Sequence, residues 1–317
     1  MRALAANPSL LLLLTTLLWA GNAVASRLAV GHVPPLLLTT LRWAVVCALV
    51  LPLAREGLRT HAPALQRRPG LMLAMGLLGF TAFNTLMYLA AHSTTALNIG
   101  LLQGAMPVLI LLGAFVADRT PVRAGQALGV VITVLGVALV VTRGDFGALR
   151  ELAINGGDAL MLLACGLYAL YTVLLRRRPA VPGLVFFAAL TPIALLSSLP
   201  LAVAEVALGQ SFWPTAQGWL VIAYVTIFPS LLAQILYIRG VELVGPGRAG
   251  VFVNLTPIFT ALLAVLILNE PFGAHHAGAL VLVLGGIAIA EWSAGRKAAE
   301  PVAAEPAVLP AEPTRGS

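Results

Sequence analysis

The sequence is poor in charged and aromatic residues. Of its 317 residues, 10% are charged and 7% are aromatic, whereas 60% are hydrophobic. A soluble domain would carry about 25% charged residues. The apolar residues form stretches of about 20 that recur along the chain, which is the length of a helix that crosses a bilayer. They do not alternate with polar residues as in a transmembrane barrel. We therefore predict an all-α polytopic membrane protein.

Cysteine is scarce, and the motifs of common enzymes are missing. Cys47 and Cys165 both lie in apolar stretches without CxxC spacing, so we interpret them as core residues. The chain has no Walker A, GxSxG or HExxH motif and no His/Cys cluster with metal spacing. These absences argue against ATP-driven transport by this chain alone, against an enzyme, and against a metal or other cofactor. The net charge of +7 is attributed to membrane topology rather than to nucleic-acid binding.

Acidic residues are absent from the interiors of the apolar stretches, since Asp118, Asp158, Glu205 and Glu270 all fall near their ends. A proton-coupled pump for organic cations is expected to keep a carboxylate deep in the membrane. The absence argues against that class and leaves a coupling proton without an obvious carrier. His92, at the edge of a loop, is a candidate for that role.

Ten spans can be counted, and they form two halves. The spans are 9–30, 34–54, 70–90, 95–117, 122–142, 157–176, 181–204, 217–239, 247–268 and 273–292. Proline and glycine often mark turns or interruptions of a helix, and four such residues recur 150 positions later. They are Gly100, Pro107, Pro121 and Gly136, repeated at Gly250, Pro257, Pro271 and Gly286.

The distribution of basic residues predicts the orientation. With the N-terminus in the cytoplasm, the cytoplasmic segments hold fifteen Lys and Arg and the outer segments three, and Arg42 lies inside a span. This follows the positive-inside rule and places both termini in the cytoplasm. Five spans per half then make the two repeats inverted, as in many secondary transporters, whose site lies between the repeats. An N-terminal signal peptide cleaved after Ala25 is the alternative, but its removal would leave nine spans.

The predicted organisation is a sequence of five segments. They are a cytoplasmic N-terminus (1–8), a first five-helix repeat (9–142), an external connector (143–156), a second repeat (157–292) and a disordered cytoplasmic tail rich in Ala, Pro and Glu (293–317).

Polar and aromatic residues inside the spans are the candidates for a substrate site. A membrane charge such as Arg42 usually faces protein or water, so Arg42 either neutralises a substrate carboxylate or binds helix-end carbonyls. Amides and aromatic rings that share helix faces suggest a cavity with apolar walls and neutral hydrogen-bonding groups, although such groups also join helices. The candidates are Trp19, Asn22, Arg42, Trp43, Phe83, Asn84, Met87, Tyr88, Gln103, Tyr168, Tyr171, Tyr224, Gln234, Tyr237 and Asn254.

Two further features concern packing. Pro107 and Pro257 each remove a helix hydrogen bond, so we predict either a static kink or a hinge. The GxxxG matches at Gly100–Gly104 and Gly125–Gly129 allow close helix packing within the bundle or between subunits. The prediction is a monomer or a weak dimer.

A set of short motifs is spread over residues 9–292. They are Leu18-Trp-Ala-Gly-Asn22, Pro34-Pro35, Leu41-Arg42-Trp43, Tyr88, Pro107, Pro257, Asn269-Glu270-Pro271, Gly278 and Gly285-Gly286. With these motifs the chain resembles the EamA-type members of the drug/metabolite transporter superfamily. The first half departs from the family's glutamate-then-glycine ending, because it has Asp118-Arg119-Thr120 there.

The resemblance implies ten helices in the bacterial inner membrane, arranged as inverted repeats around a central cavity, with spans five and ten at the periphery. It implies export of metabolites, and the aromatic residues suggest amino acids, including aromatic ones. A drug or organic-cation exporter is the alternative within transport. A membrane-embedded lipid-modifying enzyme and a purely structural subunit are the alternatives from other classes.

The predicted orientation can be tested with reporter fusions. Alkaline phosphatase fused after Ala148 should be active, because the connector is predicted to be external, and green fluorescent protein fused after Ser317 should fluoresce in the cytoplasm. Phosphatase activity of a fusion after Ser317 would contradict the orientation.

Overall fold

Ten apolar helices make up the computed structural model, which describes residues 7–119, 121–145 and 155–295. The helices are α1 (Pro8–Ala29), α2 (Pro35–Gln66), α3 (Pro69–Ala90), α4 (Ala96–Ala117), α5 (Ala124–Val141), α6 (Gly156–Arg177), α7 (Gly183–Ala207), α8 (Ala216–Val244), α9 (Arg248–Leu268) and α10 (Ala274–Ser293). Each is long and apolar enough to span a bilayer. The prediction of an all-α protein with ten spans is confirmed.

Two predicted boundaries differ from the structure. Helix α2 continues to Gln66, twelve residues beyond the predicted end of the second span, and contains Pro52 and Pro63. Hydropathy detects only the apolar part of a helix, so its charged extension was interpreted as a loop. The helix that contains α10 continues through Gly295, so residues 293–295 do not belong to a tail. The rest of the predicted tail and most of the connector lie outside the described residues.

The helices begin where the sequence supplies suitable first-turn residues. Pro8, Pro35 and Pro69 occupy first-turn positions, where proline costs no hydrogen bond. Thr95 and Thr215 cap α4 and α8 by accepting from the backbone N–H three residues later. The first residues of these five helices are therefore set by prolines in the first turn or by threonine N-caps.

Two spans are divided into two helices each. In α4 a turn at Gly104–Ala105 separates the helices Ala96–Gln103 and Met106–Asp118. In α9 a turn at Asn254–Leu255 separates Pro246–Val253 and Thr256–Leu268. Pro107 and Pro257 thus lie in the first turn of a new helix, where proline is tolerated. Each span is thus interrupted just before its proline, and whether this is a static kink or a hinge stays a prediction.

The largest contacts between helices correspond when the two sets of five helices are exchanged. Helix α1 packs against α8 and α9, and the corresponding α6 packs against α3 and α4. The pairs α2–α7, α4–α9 and α5–α10 pack against each other. Each of these three pairs is antiparallel, because the start of one helix meets the end of the other, as for Gly125 beside Ser293 and Gly136 beside Val283.

Both GxxxG matches contain glycines packed inside the bundle. A Cβ on Gly129 would lie 2.4 Å from the carbonyl oxygen of Gly286, and one on Gly100 would lie 2.4 Å from Thr260 Cβ. The small residues bring the helix backbones close together, which strengthens dispersion contacts. These two glycines join helices of the same chain.

The close contact of α5 and α10 predicts a stability difference between neighbouring glycines. Gly286→Ala should lower the thermal stability in detergent by about 1–3 kcal/mol, because a Cβ there would lie 2.3 Å from Thr133 Oγ1. Gly285→Ala is the matched control, since a Cβ at Gly285 meets nothing within 4 Å. Equal melting temperatures for the two variants would contradict this packing.

Candidate functional site

A cavity of about 620 Å³ lies in the middle of the bundle. Its walls come from both halves and reach Arg178, Glu242 and Glu291 at one end of the bundle. We call this end, where α6, α8 and α10 end, the open end. The opposite end, where α1 and α3 end and α2 and α4 begin, is the closed end. The volume is typical of sites for small organic molecules.

One wall of the cavity is a chain of aromatic rings. The ring of Phe80 lies 5.0 Å from that of Trp43, 5.7 Å from that of Tyr171 and 5.9 Å from that of Phe187. Tyr168 continues the chain, because its ring lies 5.2 Å from that of Tyr171 and 5.0 Å from that of Phe83. Such separations are those of favourable aromatic pairs. On the other side, Trp19 packs against Tyr237 at 5.1 Å.

Two π-helical segments place residues on the walls. They are Leu77–Ala82 in α3 and Thr226–Leu232 in α8, at equivalent positions in the two halves. The first presents Gly79 and Phe80 to the cavity and the second presents Pro229 and Ser230. Pro229 has no N–H, and its carbonyl oxygen accepts from Trp19 Nε1 at 3.2 Å. A π-helical turn within an α-helix is often found at functional sites.

Arg42 lies at the closed-end side of the cavity, and all its hydrogen-bond partners among the described residues are neutral. Its Nε donates to Ser230 Oγ at 2.6 Å, and its Nη1 donates to Asn22 Oδ1 at 3.2 Å, Asn84 Oδ1 at 2.7 Å and Tyr88 Oη at 2.5 Å. Only 5% of the residue is exposed. Residues of α1, α3 and α8 thus converge on one cation contributed by α2.

The amide groups beside Arg42 are themselves oriented. Asn84 Nδ2 donates to the carbonyl oxygen of Phe80 at 2.6 Å, and Asn22 Nδ2 contacts the sulfur of Met87 at 3.7 Å. Since the amide nitrogens are occupied, the amide oxygens face the guanidinium. The guanidinium also lies 5.4 Å from the ring of Trp43, within the range of a cation–π contact.

The predicted site residues fall into two groups. Most line the cavity: Trp19, Asn22, Arg42, Trp43, Phe83, Asn84, Met87, Gln103, Tyr168, Tyr171, Gln234, Tyr237 and Asn254, together with Pro107 and Pro257. Tyr88 and Tyr224 are not on the cavity walls. Tyr88 lies behind Arg42 as its hydrogen-bond partner. Tyr224 faces α1, where a Cβ on Gly21 would collide with its hydroxyl group.

Phe187 and Ser230 also line the cavity, although neither was predicted from the sequence. Phe187 stands in an apolar run of α7, where no periodicity distinguishes a cavity wall from a helix contact. Ser230 follows Pro229 inside a span, and this Pro-Ser pair is the sequence feature that could have indicated a polar residue on the cavity wall.

A cluster of buried apolar side chains fills the closed end. Every helix except α7 contributes to it, with Leu38, Leu97, Met161 and Val225 among its fully or almost fully buried members. Because the cluster joins both halves, the cavity does not continue to this end.

Carboxylates reinforce the closed end. Glu205, at the end of α7, accepts from the backbone N–H of Leu36 at 3.1 Å and from that of Leu37 at 2.9 Å. Glu270, just after α9, accepts from the backbone N–H of Ala96 at 2.9 Å and from that of Leu97 at 2.8 Å. Each carboxylate satisfies orphan donors in the first turn of a helix from the other half.

Asp158 and His92 also lie at the closed end. Asp158 is completely buried and accepts from Thr94 Oγ1 and from Asn98 Nδ2. His92 lies in the loop between α3 and α4 and does not line the cavity. Desolvation of its ring and the charge of Arg27 hold the pKa of His92 below its usual value.

Within the residues that the structure describes, no group of three or more His, Cys, Asp or Glu side chains is placed to hold a metal ion.

The sequence and the fold of this chain are similar to those of known proteins. The model of the EamA-like transporter family matches the chain twice, at residues 7–142 and 155–292. The chain is 24% identical over 272 residues to the uncharacterized transporter YyaM of Bacillus subtilis, covering 82% of this chain and 86% of that protein. It is 30% identical over 270 residues to the uncharacterized transporter YdeK of the same organism, covering 81% and 87%. A protein of known crystal structure matches with a TM-score of 0.64 and 24% identity, covering 92% of this chain and 98% of that chain, which shows a shared fold.

Proposed function

Because this chain belongs to the EamA-like transporter family, we propose that it is a secondary transporter that exports small amphipathic metabolites by alternating access. The observation that carries the proposal is the central cavity, which is lined by both halves, reaches the open end and is sealed at the closed end. A site between two halves that is accessible from one side is the arrangement that alternating access requires.

The proposal includes an inverted relation between the halves. The equivalent helices of the two halves, α2–α7, α4–α9 and α5–α10, pair with each other, and each pair is antiparallel. Equivalent helices that run in opposite directions support two repeats of opposite orientation in the membrane. With the orientation predicted from the basic residues, the open end faces the cytoplasm, where an exporter takes up its substrate, and the membrane is the bacterial inner membrane.

Amino acids, including aromatic ones, are the proposed substrates. The ring chain from Trp43 to Tyr168 supplies an apolar wall, and Arg42, Gln103, Gln234 and Asn254 supply polar groups facing the same space. Few polar groups in an apolar cavity are typical of sites for small organic molecules. Membership of a transporter family favours this function over the lipid-modifying enzyme.

Counterflow in proteoliposomes tests the proposal. Labelled phenylalanine, tryptophan and threonine would be measured beside a quaternary ammonium ion, with and without a pH gradient. Saturable counterflow of the amino acids is expected, and its response to the gradient decides whether a proton is coupled. Counterflow of the ammonium ion alone would reject amino acids and favour the organic-cation exporter.

Two tyrosines of α8 provide a matched pair for the same assay. Tyr237→Ala should weaken counterflow about 2–10-fold, because a ring on the cavity wall is lost. Tyr224→Ala, which removes a ring that is not on the wall, should retain it when protein amounts are equal. Equal losses in the two variants would contradict the assignment of the site to the cavity.

A further inference from the structure

The charge of Arg42 is not neutralised by any residue that the structure describes. Its partners Asn22, Asn84, Tyr88 and Ser230 are all neutral, and it forms no ion pair with a carboxylate of the described residues. A buried cation without a counter-charge is costly, because desolvation is not offset by ion pairing. The site therefore stabilises a negative charge supplied by a ligand and disfavours a positive one.

The donors of Arg42 are only partly used. Its Nε and Nη1 donate to the four neutral partners, whereas Nη2 makes no hydrogen bond to a described residue. Since Arg42 lines the cavity, this nitrogen is available to a molecule inside it. Guanidinium groups bind carboxylates through planar, charge-assisted hydrogen bonds.

The cavity provides no matching counter-charge for an ammonium group near Arg42. The carboxylates on the described walls are Glu242 and Glu291, both at the open end. Glu242 accepts from Arg239, and Glu291 accepts from Asn254 Nδ2. The ring of Trp43 lies next to Arg42 instead, and the ring of Phe80 packs against that of Trp43.

We propose that Arg42 binds the carboxylate of the transported molecule and that the substrates are small organic acids with an aromatic or apolar group, whether or not they carry an amino group. This deepens the proposed transport function and rests on it. The carboxylate meets Nη2 of Arg42, and the apolar group lies against the ring chain. Amines without a carboxylate are excluded by the unpaired positive charge.

Three compounds that share a benzyl group test the proposal. Phenylpyruvate has the carboxylate only, phenylalanine has carboxylate and ammonium, and phenethylamine has the ammonium only. Calorimetry on the purified protein should show binding of the two carboxylates and at least about tenfold weaker binding of the amine. Arg42→Gln should weaken the carboxylates about 10–100-fold, and Arg42→Lys should retain part of the affinity. Arg55→Gln is the control, because it removes an exposed arginine of the same helix that does not line the cavity.

Each outcome decides the proposal. Equal binding of phenethylamine, unchanged binding to a folded Arg42→Gln variant, or binding of neither carboxylate to the folded protein would overturn it. If Arg42→Gln does not fold, the binding of the three compounds to the wild type and to Arg42→Lys still tests the proposal. Binding that depends on Arg42 without flux in proteoliposomes would reject transport and support this inference. Flux of the amine alone would support transport and reject this inference.

An independent observation concerns the carboxylate cap on α2. Glu205 is 3% exposed and binds the N–H groups of Leu36 and Leu37 at the closed end. Glu56 of α2 lies 149 residues before Glu205, and Leu184 and Val185 of α7 lie 148 residues after Leu36 and Leu37, so both relations are within two residues of the repeat offset of 150. The same pair of helices therefore contains the components of a second cap at the open end.

That second cap is not formed in this state, although its components are adjacent. The Glu56 side chain is exposed and makes no hydrogen bond to a described residue, and the N–H groups of Leu184 and Val185 have no acceptor among those residues. The next residue, Gly57, touches Val185, because a Cβ on it would lie 2.4 Å from Val185 Cγ2. The Glu270 cap has no such equivalent, since Ala96 corresponds to Pro246, which lacks an N–H.

We infer that the two caps alternate: Glu205 binds the start of α2 when the closed end is sealed, and Glu56 binds the start of α7 when that end opens and the present open end closes. Each cap offers a carboxylate to donors that otherwise lose their partner. The exchange makes α2 and α7 a bistable pair, with one cap in each state.

Thiol labelling measures this exchange. In a variant with Cys47 and Cys165 replaced by alanine, Ser26→Cys places a thiol at the closed end, where Ser26 is 1% exposed. Glu205→Gln should raise the labelling rate of this thiol about tenfold. The amide nitrogen of glutamine is a donor, so it cannot accept from the N–H group of Leu36 or Leu37, and the closed end is held less tightly. Adding Glu56→Gln should reverse most of that rise. Adding Glu242→Gln instead, at another exposed glutamate of the open end, should not.

The inference fails if Glu205→Gln leaves the labelling rate unchanged in a folded protein. It fails equally if Glu56→Gln has no more effect than Glu242→Gln in the Glu205→Gln background. Circular dichroism of each variant verifies that the helices are retained.

Discussion

A guanidinium group held inside the bundle by neutral partners is the interaction on which the cavity depends. Arg42 of α2 draws together Asn22 of α1, Asn84 and Tyr88 of α3 and Ser230 of α8. Removing it would leave oriented amide and hydroxyl oxygens without a donor, which is costly in an apolar interior. The arrangement therefore fixes the helix positions around the cavity and defines the charge that the cavity accepts.

The two ends of the bundle are closed by different means. At the closed end, an apolar cluster and the carboxylates of Glu205 and Glu270 join the halves. At the open end, Glu56 and the start of α7 remain unpaired within the described residues. The difference between the ends lies in which helix starts are capped, because the helix pairs themselves are common to both halves.

Much of the fold could be predicted from the sequence, because a bilayer imposes a length and a composition on every span. The prediction of ten spans rests on that constraint, and Arg42 stood out as a charge inside an apolar stretch. The partners of Glu205 and Glu270 could not be predicted, since they lie about 170 residues away in the chain and are backbone groups. The end of α2 beyond residue 54 could not be predicted from hydropathy, because that part of the helix carries charged residues and contains Pro63. The place of the turns in α4 and α9 could not be predicted either, because a proline is compatible with several helix geometries.

The first turn of α2 has a consequence for water. Pro34 and Pro35 have no N–H, Leu36 and Leu37 donate to Glu205, and Leu38 donates to the carbonyl oxygen of Pro34 at 2.8 Å. Each backbone N–H of this turn therefore has an acceptor within the protein. The start of α2 needs no water molecule to satisfy its donors, so this helix start can be sealed inside the closed end.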